Sequence, residues 1–233
     1  MYLEERRNGE SNREYALRIL KANIIQMILE PGCPIGEQKI AKELGMSRTP
    51  VREALVELMK TRIVEILPQK GTYVSYLDYD LVEEARFMRM TLELALLDEL
   101  AEKMTDKDFD RMEANVTMQR FYLERENQLY LMQLDDDFHR MFFEICNKMQ
   151  CYCLSKEFGI HFDRVRFASL ENLRDNKTVQ DHEDIVKLLR RKDVTKAKDV
   201  LRVHLSRFQT DKAKIQAAHE NYFNQNHIYV RLV

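Results

Sequence analysis

The sequence predicts a mainly α chain in two parts: three short helices closed by a β-hairpin over residues 1–76, then an all-helical bundle of six or seven helices over residues 77–233. Three observations lead there. Apolar residues recur at three- and four-residue spacing through most of the chain, the period of a helix buried along one face. Only 6 glycines and 4 prolines occur among 233 residues, so turns are few and elements long. Strand-like runs are confined to residues 63–75. With 45% hydrophobic and 33% charged residues, the composition is that of a globular chain rather than a disordered one.

Composition also excludes several classes. No apolar run approaches the roughly 18 residues that span a bilayer. The N-terminal stretch MYLEERRNGESNREY lacks the apolar core of a signal peptide. Cys33, Cys146, Cys151 and Cys153 form no paired framework, and Cys151 and Cys153, two apart, point to different faces of a helix. Free thiols in a reducing cytoplasm are the expectation. The net charge of -2 argues against a bulk nucleic-acid coat. Residues 1–76 hold 12 Lys/Arg and 10 Asp/Glu, the remainder 25 and 29, an asymmetry that permits DNA binding through placed cations without demonstrating it.

The first helix is expected from Arg13 to Leu29, with Leu17, Leu20, Ile24, Ile25 and Ile28 inward, and Pro31-Gly32 stops it. Gly36 opens a second short helix, EQKIAKEL, that buries Ile40, Ala41 and Leu44. Gly45 ends it, as a residue tolerating positive φ should. Ser47 can cap a third helix, and Pro50 falls in the first turn, where a missing N–H has no intrahelical partner to lose. Val51, Ala54, Leu55 and Leu58 form that helix's buried stripe.

Ala41, Gly45 and Val51 thus fall where a helix-turn-helix needs a small residue, a turn glycine and a branched apolar lock. Arg48, Thr49 and Arg52 remain on the outer face of the third helix. The two arginines, four apart, project together, and such a helix start suits the major groove, where arginine can bond guanine O6 and N7. Taken alone, an R-x-x-x-R pair is ordinary solvated charge; the flanking helix, turn and stripe favour the recognition reading. After it, IVEILPQKGTYVS has strand runs at Ile63 to Leu67 and Thr72 to Ser75 around a Pro68-Gln69-Lys70-Gly71 turn. A hairpin in that place is a wing, with Lys70 and Gly71 at its tip, in reach of a phosphate or the minor groove.

The run from Pro31-Gly32 through GEQKIAKELGMSRTPVREAL, with IVEILPQKGTYV after it, resembles the N-terminal winged helix-turn-helix domain of the GntR family of bacterial transcription regulators. The resemblance covers residues 13 to about 75 and implies DNA contacts at Arg48, Thr49, Arg52 and Gly71, with Lys70 beside them. Two positions depart from the family pattern. Gln38 stands where some relatives have an arginine reaching DNA, and Arg62 where a glycine usually closes the recognition helix.

From Asp78 onward helical stretches are expected over 79–103, 106–126, 129–147, 150–170, 178–191 and 194–217, with breaks at Thr105, at Asn176 to Thr178 and at Asp193. Three of the 6 histidines fall on apolar faces. Asp135 and His139, four apart, share a face with Phe142 and Cys146; His182 lies with Ile185, Val186 and Leu189; His204 lies with Ala197, Leu201, Leu205 and Phe208. In an antiparallel hairpin turning near Lys192, the levels of His182 and His204 differ by about 3 Å. A single histidine on an apolar face is usually a hydrogen-bonded core residue. One carboxylate and three imidazoles converging in a core would be costly, and a divalent metal would relieve that cost.

This half resembles the ligand-binding FCD domain of the FadR branch of the same family, through R-M-T-L-E at Arg89 to Glu93, D-D-D-F-H at Asp135 to His139, His182, and A-x-x-x-L-x-x-H-L at Ala197 to Leu205. The resemblance implies Asp135, His139, His182 and His204 as metal ligands and Arg89 facing the same cavity; for an Asp/His₃ set the expected ion is zinc, nickel or manganese. The tail AAHENYFNQNHIYVRLV has no counterpart, and His219 and His227 there are expected to be solvated.

The function expected is a cytoplasmic, homodimeric transcription regulator, a repressor by the family's commoner habit, that binds an inverted-repeat operator and answers to a small carboxylate. Two rivals stand beside it. An Asp/His metal centre could activate water in an enzyme, although no further titratable group is spaced to act as base. An architectural DNA binder would use the metal only structurally.

Overall fold

The computed structural model describes residues 1–170 and 177–223, side chains at positions 169, 170, 208, 210 and 211 excepted. Asn176 and His227 lie outside the described residues, as does the side chain of Phe208. The chain divides into two compact units: one of residues 1–80, with 163–168 and the segment from Ala213; the other of residues 81–162 and 169–212.

In the first unit, α1 (Asn12–Ile25) starts at a reciprocal cap in which the Ser11 hydroxyl accepts from Glu14 N and the Glu14 carboxylate accepts from Ser11 N. Its buried face carries Ala16, Ile19, Leu20 and Ile24. The helix stops short of Leu29 because Met27 turns left-handed (φ 55°) and Leu29 N reaches back to Asn23 O at 3.0 Å, satisfying a terminal carbonyl. Ile28, expected inside, is therefore exposed. A short strand β1 (Pro34–Ile35) precedes α2 (Glu37–Glu43), which buries Ile40 and Ala41. Gly45 (φ 63°) makes the turn into α3 (Arg48–Lys60), whose stripe of Val51, Ala54, Leu55 and Leu58 is buried. Ser47 occupies the N-cap with extended backbone, but its hydroxyl makes no capping hydrogen bond. Arg62 itself takes the left-handed conformation (φ 59°) a glycine would favour, so α3 ends in the usual place at the cost of strain.

The hairpin pairs β2 (Val64–Leu67) with β3 (Gly71–Val74) in the register Leu67↔Gly71 and Val64↔Val74. Gln69 and Gly71 both have positive φ, which closes so short a turn. β3 is central: β1 adds to its other edge, Pro34 opposite Tyr73, a strand too short to carry a sequence pattern. Behind the hairpin Arg164, fully buried, donates to Ser75 Oγ at 3.1 Å and to Ser75 O at 2.6 Å. Part of the tail also belongs here: Leu77 N donates to Tyr222 O at 2.8 Å, and Phe223 stacks on Tyr79. His219 is half-buried and stacked on Tyr222 rather than solvated.

The bundle helices are α4 (Tyr79–Lys103), α5 (Asp106–Glu124), α6 (Gln128–Ile145), α7 (Met149–Phe158), α8 (Ile160–Leu170), α9 (Lys177–Arg190) and α10 (Val194–Ala218). The single helix expected over 150–170 is two, broken at Gly159, where a Cβ would stand 2.8 Å from Ser155 O. Leu96, Leu97 and Leu100 of α4, Met112 of α5, Phe138 and Phe142 of α6, Ile185 of α9 and Leu201 of α10 meet in one core. No helix among the described residues is long and apolar enough to cross a membrane.

Candidate functional site

Two regions hold the residues expected to carry function. In the first unit, Arg48, Thr49 and Arg52 are exposed at the start of α3, held there by the buried stripe on the opposite side of the helix. They line an open groove with Arg13, Val56 and Lys60. Arg48 Nη2 lies 3.3 Å from Glu37 Oε2, and Arg13 and Lys60 share the carboxylate of Glu57, while Arg52 has no ion pair among the described residues. Exposed pairs of this kind are worth about 0–1 kcal/mol, so they hold Arg48 and Arg13 only loosely. Lys70 and Gly71 are exposed at the hairpin tip.

In the bundle, Asp135 and His139 of α6, His182 of α9 and His204 of α10 converge. Their ligand atoms all lie within 4.8 Å of one another. His204 Nε2 is 3.1 Å from His139 Nε2 and 3.3 Å from His182 Nε2. Asp135 closes the set, Oδ1 at 3.6 Å from His182 Nε2 and Oδ2 at 3.9 Å from His139 Nε2. His182 is fully buried, whereas His204 is 9% exposed and marks the side nearest solvent.

Two of the three outward-facing nitrogens are hydrogen-bonded. His139 Nδ1 lies 2.7 Å from Glu93 Oε2, His182 Nδ1 2.8 Å from Gln119 Oε1, and His204 Nδ1 3.5 Å from Asp181 Oδ2. The acceptors beside His139 and His182 favour the proton on Nδ1, which turns those two Nε2 lone pairs inward, whereas His204 Nδ1 makes no hydrogen bond among the described residues. The last of the three contacts is the loosest, since Asp181 also takes two hydrogen bonds of 2.6 Å from Arg207. Burial pushes the His139 ring below its ordinary pKa and the His182 ring well below, so both stand neutral near pH 7. Burial works to raise the Glu93 carboxyl, but His139 and Arg89 outweigh it and hold it down to about 2. A neutral His139 cannot supply full attraction, so the Arg89 guanidinium is the partner that keeps Glu93 ionised.

A metal ion fits this donor set. Three imidazole nitrogens and a carboxylate are the ligands of zinc, nickel and manganese chemistry. An ion about 2.05 Å from both nitrogens of each close pair would subtend angles of roughly 98° and 107°, between octahedral and tetrahedral values. The Nε2 atoms of His139 and His182 lie at hydrogen-bond distance from His204 Nε2, 3.1 and 3.3 Å, so in each pair either a ring proton or a cation must stand between the two nitrogens. Arg89 borders the set: Nε donates to Glu93 Oε1 at 2.8 Å, Nη2 is 3.9 Å from Asp135 Oδ2, and the guanidinium lies over the Phe162 ring.

Sequence reasoning missed the outer partners. Glu93 follows Arg89 by one helical turn and could have been found from that spacing; Asp181 and Gln119 carry no local signal. It also passed over His161, a further buried histidine.

Comparison with known proteins gives a family match to each part of the chain. Residues 13–74 match the family model for bacterial regulatory proteins of the gntR family, and residues 84–207 match that of the FCD domain. The chain is 26% identical over 209 residues to the HTH-type transcriptional repressor RspR of Escherichia coli (strain K12), covering 89% of this chain and 92% of that one. It is 30% identical over 212 residues to an uncharacterized HTH-type transcriptional regulator in an unstable DNA locus of Streptomyces ambofaciens, covering 90% and 89%. Among solved structures, E. coli McbR/YncC shares the fold with a TM-score of 0.73 at 19% identity, over 90% of this chain and 99% of that one.

Proposed function

The chain belongs to the gntR family of bacterial regulatory proteins and carries an FCD domain, and from that premise we propose that this DNA-binding transcription regulator is a repressor released by a small organic acid at a metal-bearing cluster. The observation that carries the reading is the convergence of Asp135, His139, His182 and His204 in the interior of the helical bundle. A divalent ion held by these four would offer open coordination positions to a carboxylate. Arg89, already beside Asp135, grips a second oxygen of the acid by a charge-assisted contact. Glu93 holds Arg89 and His139 together, so an acid that pulls on the guanidinium also pulls on a ligand histidine.

The acid then touches α4, α6, α9 and α10 at once and favours one packing of those helices. Segment 75–80 carries that preference along the chain to the DNA-binding part. Arg48, Thr49 and Arg52 read bases or hold the register, with Lys70 and Gly71 on the neighbouring backbone or minor groove. Two copies of the chain read an inverted repeat, since one winged helix covers too few bases for genomic specificity. Repression is the role that RspR of Escherichia coli carries in its name, and we extend it to this chain.

The test is elemental analysis of the purified protein alongside affinity for an operator selected from a random-sequence pool. About one divalent ion per chain and a dimer on a two-fold symmetric site are expected. A protein that binds its operator as a dimer yet holds no metal under any loading condition contradicts the metal-dependent part. A monomer bound one per operator contradicts the other.

A further inference from the structure

Helix α5 supplies none of the four converging groups, yet it reaches the cluster from behind through Asn115 and Gln119. Gln119 is fully buried and Asn115 half-buried. Their orientations are determined from a fixed point. The main-chain carbonyl of Leu134 can only accept, and Asn115 Nδ2 lies 3.0 Å from it, so the Asn115 amide must present its nitrogen there. Asn115 Oδ1 is then an acceptor facing Gln119, and the group 2.7 Å from it must be Gln119 Nε2, which also lies 3.5 Å from Leu134 O. That leaves Gln119 Oε1 facing His182 Nδ1 at 2.8 Å. An oxygen there accepts only from a ring that carries its proton on Nδ1. The opposite tautomer would set two lone pairs against each other at 2.8 Å in a buried site. Phe138, stacked on the His182 ring with centroids 4.1 Å apart, stops the ring from turning out of the relay.

We infer that Gln119, locked by Asn115 against the Leu134 carbonyl, is a positioning residue that fixes which nitrogen His182 presents to the cluster. This rests on the metal-site reading for its purpose, though not for its geometry. The relay differs from the support of the other two histidines, whose outer partners are the carboxylates of Glu93 and Asp181. A neutral amide orients His182 without adding negative charge, and the Leu134 carbonyl that anchors it is adjacent in sequence to the ligand Asp135. One short chain of hydrogen bonds therefore ties the placement of a ligand on α6 to the tautomer of a ligand on α9.

The experiment uses the full chain and two readouts. In metal-free protein, nitrogen-15 NMR of the histidine rings reports the His182 tautomer. The Nδ1–H form is expected in wild type, and a mixture or the Nε2–H form in Gln119→Met and Asn115→Leu, the first removing the acceptor and the second freeing the amide to turn over. Titration with Co²⁺ against a competing chelator should show affinity reduced about 10–100-fold in Gln119→Met. A smaller loss is expected in Asn115→Leu, and circular dichroism establishes that each variant is folded. Nε2–H in the wild type overturns the inference, as does a Gln119→Met protein with unchanged tautomer and unchanged Co²⁺ affinity. If wild type binds no Co²⁺, the metal reading falls and the relay is decided by the tautomer alone; should Gln119→Met fail to fold, Asn115→Leu decides it.

Discussion

Arg48 and Arg52 on α3, and Asp135 and His139 on α6, are both pairs of chemically active residues four apart on one helical face. The first pair is exposed and the second buried. That difference sorts nearly everything else about the two regions. On α3 the donors are open to solvent, so Arg48 needs only the loose company of Glu37 and Arg52 no ion pair among the described residues. On α6 the side chains are buried, and protein groups meet most of their polar atoms: His139 is met by Glu93, His182 by Gln119, and behind those stand Arg89 and Asn115. The exposed site is open to its ligand without preparation, whereas the buried one is a network in which any single change propagates.

If that contrast holds, substitutions should differ in reach as well as in size. The largest effect is expected for His182→Ala combined with His204→Ala, which should abolish metal binding altogether; metal content that survives the double variant would mean the ligands lie elsewhere. Arg48→Ala and Arg52→Ala should each cost roughly 1–3 kcal/mol of operator affinity while leaving the melting temperature of the free protein nearly unmoved. Operator affinity unchanged in both at fixed salt would remove α3 as the reader.

A third, more graded difference concerns pH. His139 and His182 sit below the ordinary 6.5 when folded, so beneath that pH the unfolded chain takes up protons that the folded one refuses. Stability of the metal-free protein should be full above about pH 6.5 and fall as pH drops below it. Glu93, at about 2 against an ordinary 4.5, adds a further loss as the pH falls through that interval. Urea midpoints measured at about pH 7.5 and about pH 5.5 check the first step, and equal midpoints would mean the histidines are charged in the fold. The smallest effect is local: Arg62→Gly should stabilise the first unit by about 1 kcal/mol, because the left-handed backbone at φ 59° strains any residue with a Cβ. A thermal melt that drops instead would show that the Arg62 side chain matters more than its backbone.

Much of this was legible in the sequence, and for definite reasons. Gly45 and Pro50 signal a turn and a helix start through backbone restrictions that do not depend on tertiary context. The meeting of His182 and His204 followed from counting outward from a turn, because helical rise is regular. The features that escaped depend on packing. Met27 ends α1 through a left-handed turn that any residue can be forced to make, and β1 is two residues long and exists only because β3 offers it an edge. The break between α7 and α8 needs a glycine at 159 because Ser155 O leaves no room for a Cβ there, and Gln119 gains its role from the way α5 lies against α6 and α9. Periodicity places a residue on a face; it does not say what lies opposite.

Operator affinity, measured with and without the tightest-binding member of a panel of small carboxylic acids, in wild type and in Arg89→Ala, joins the two regions in one experiment. The acid should weaken the wild-type complex by some 5–150-fold, the usual span of a coupling of about 1–3 kcal/mol, and should leave Arg89→Ala little changed. An acid that binds the metal-loaded bundle tightly yet leaves wild-type operator affinity where it was would contradict the coupling, even with every ligand residue correctly placed.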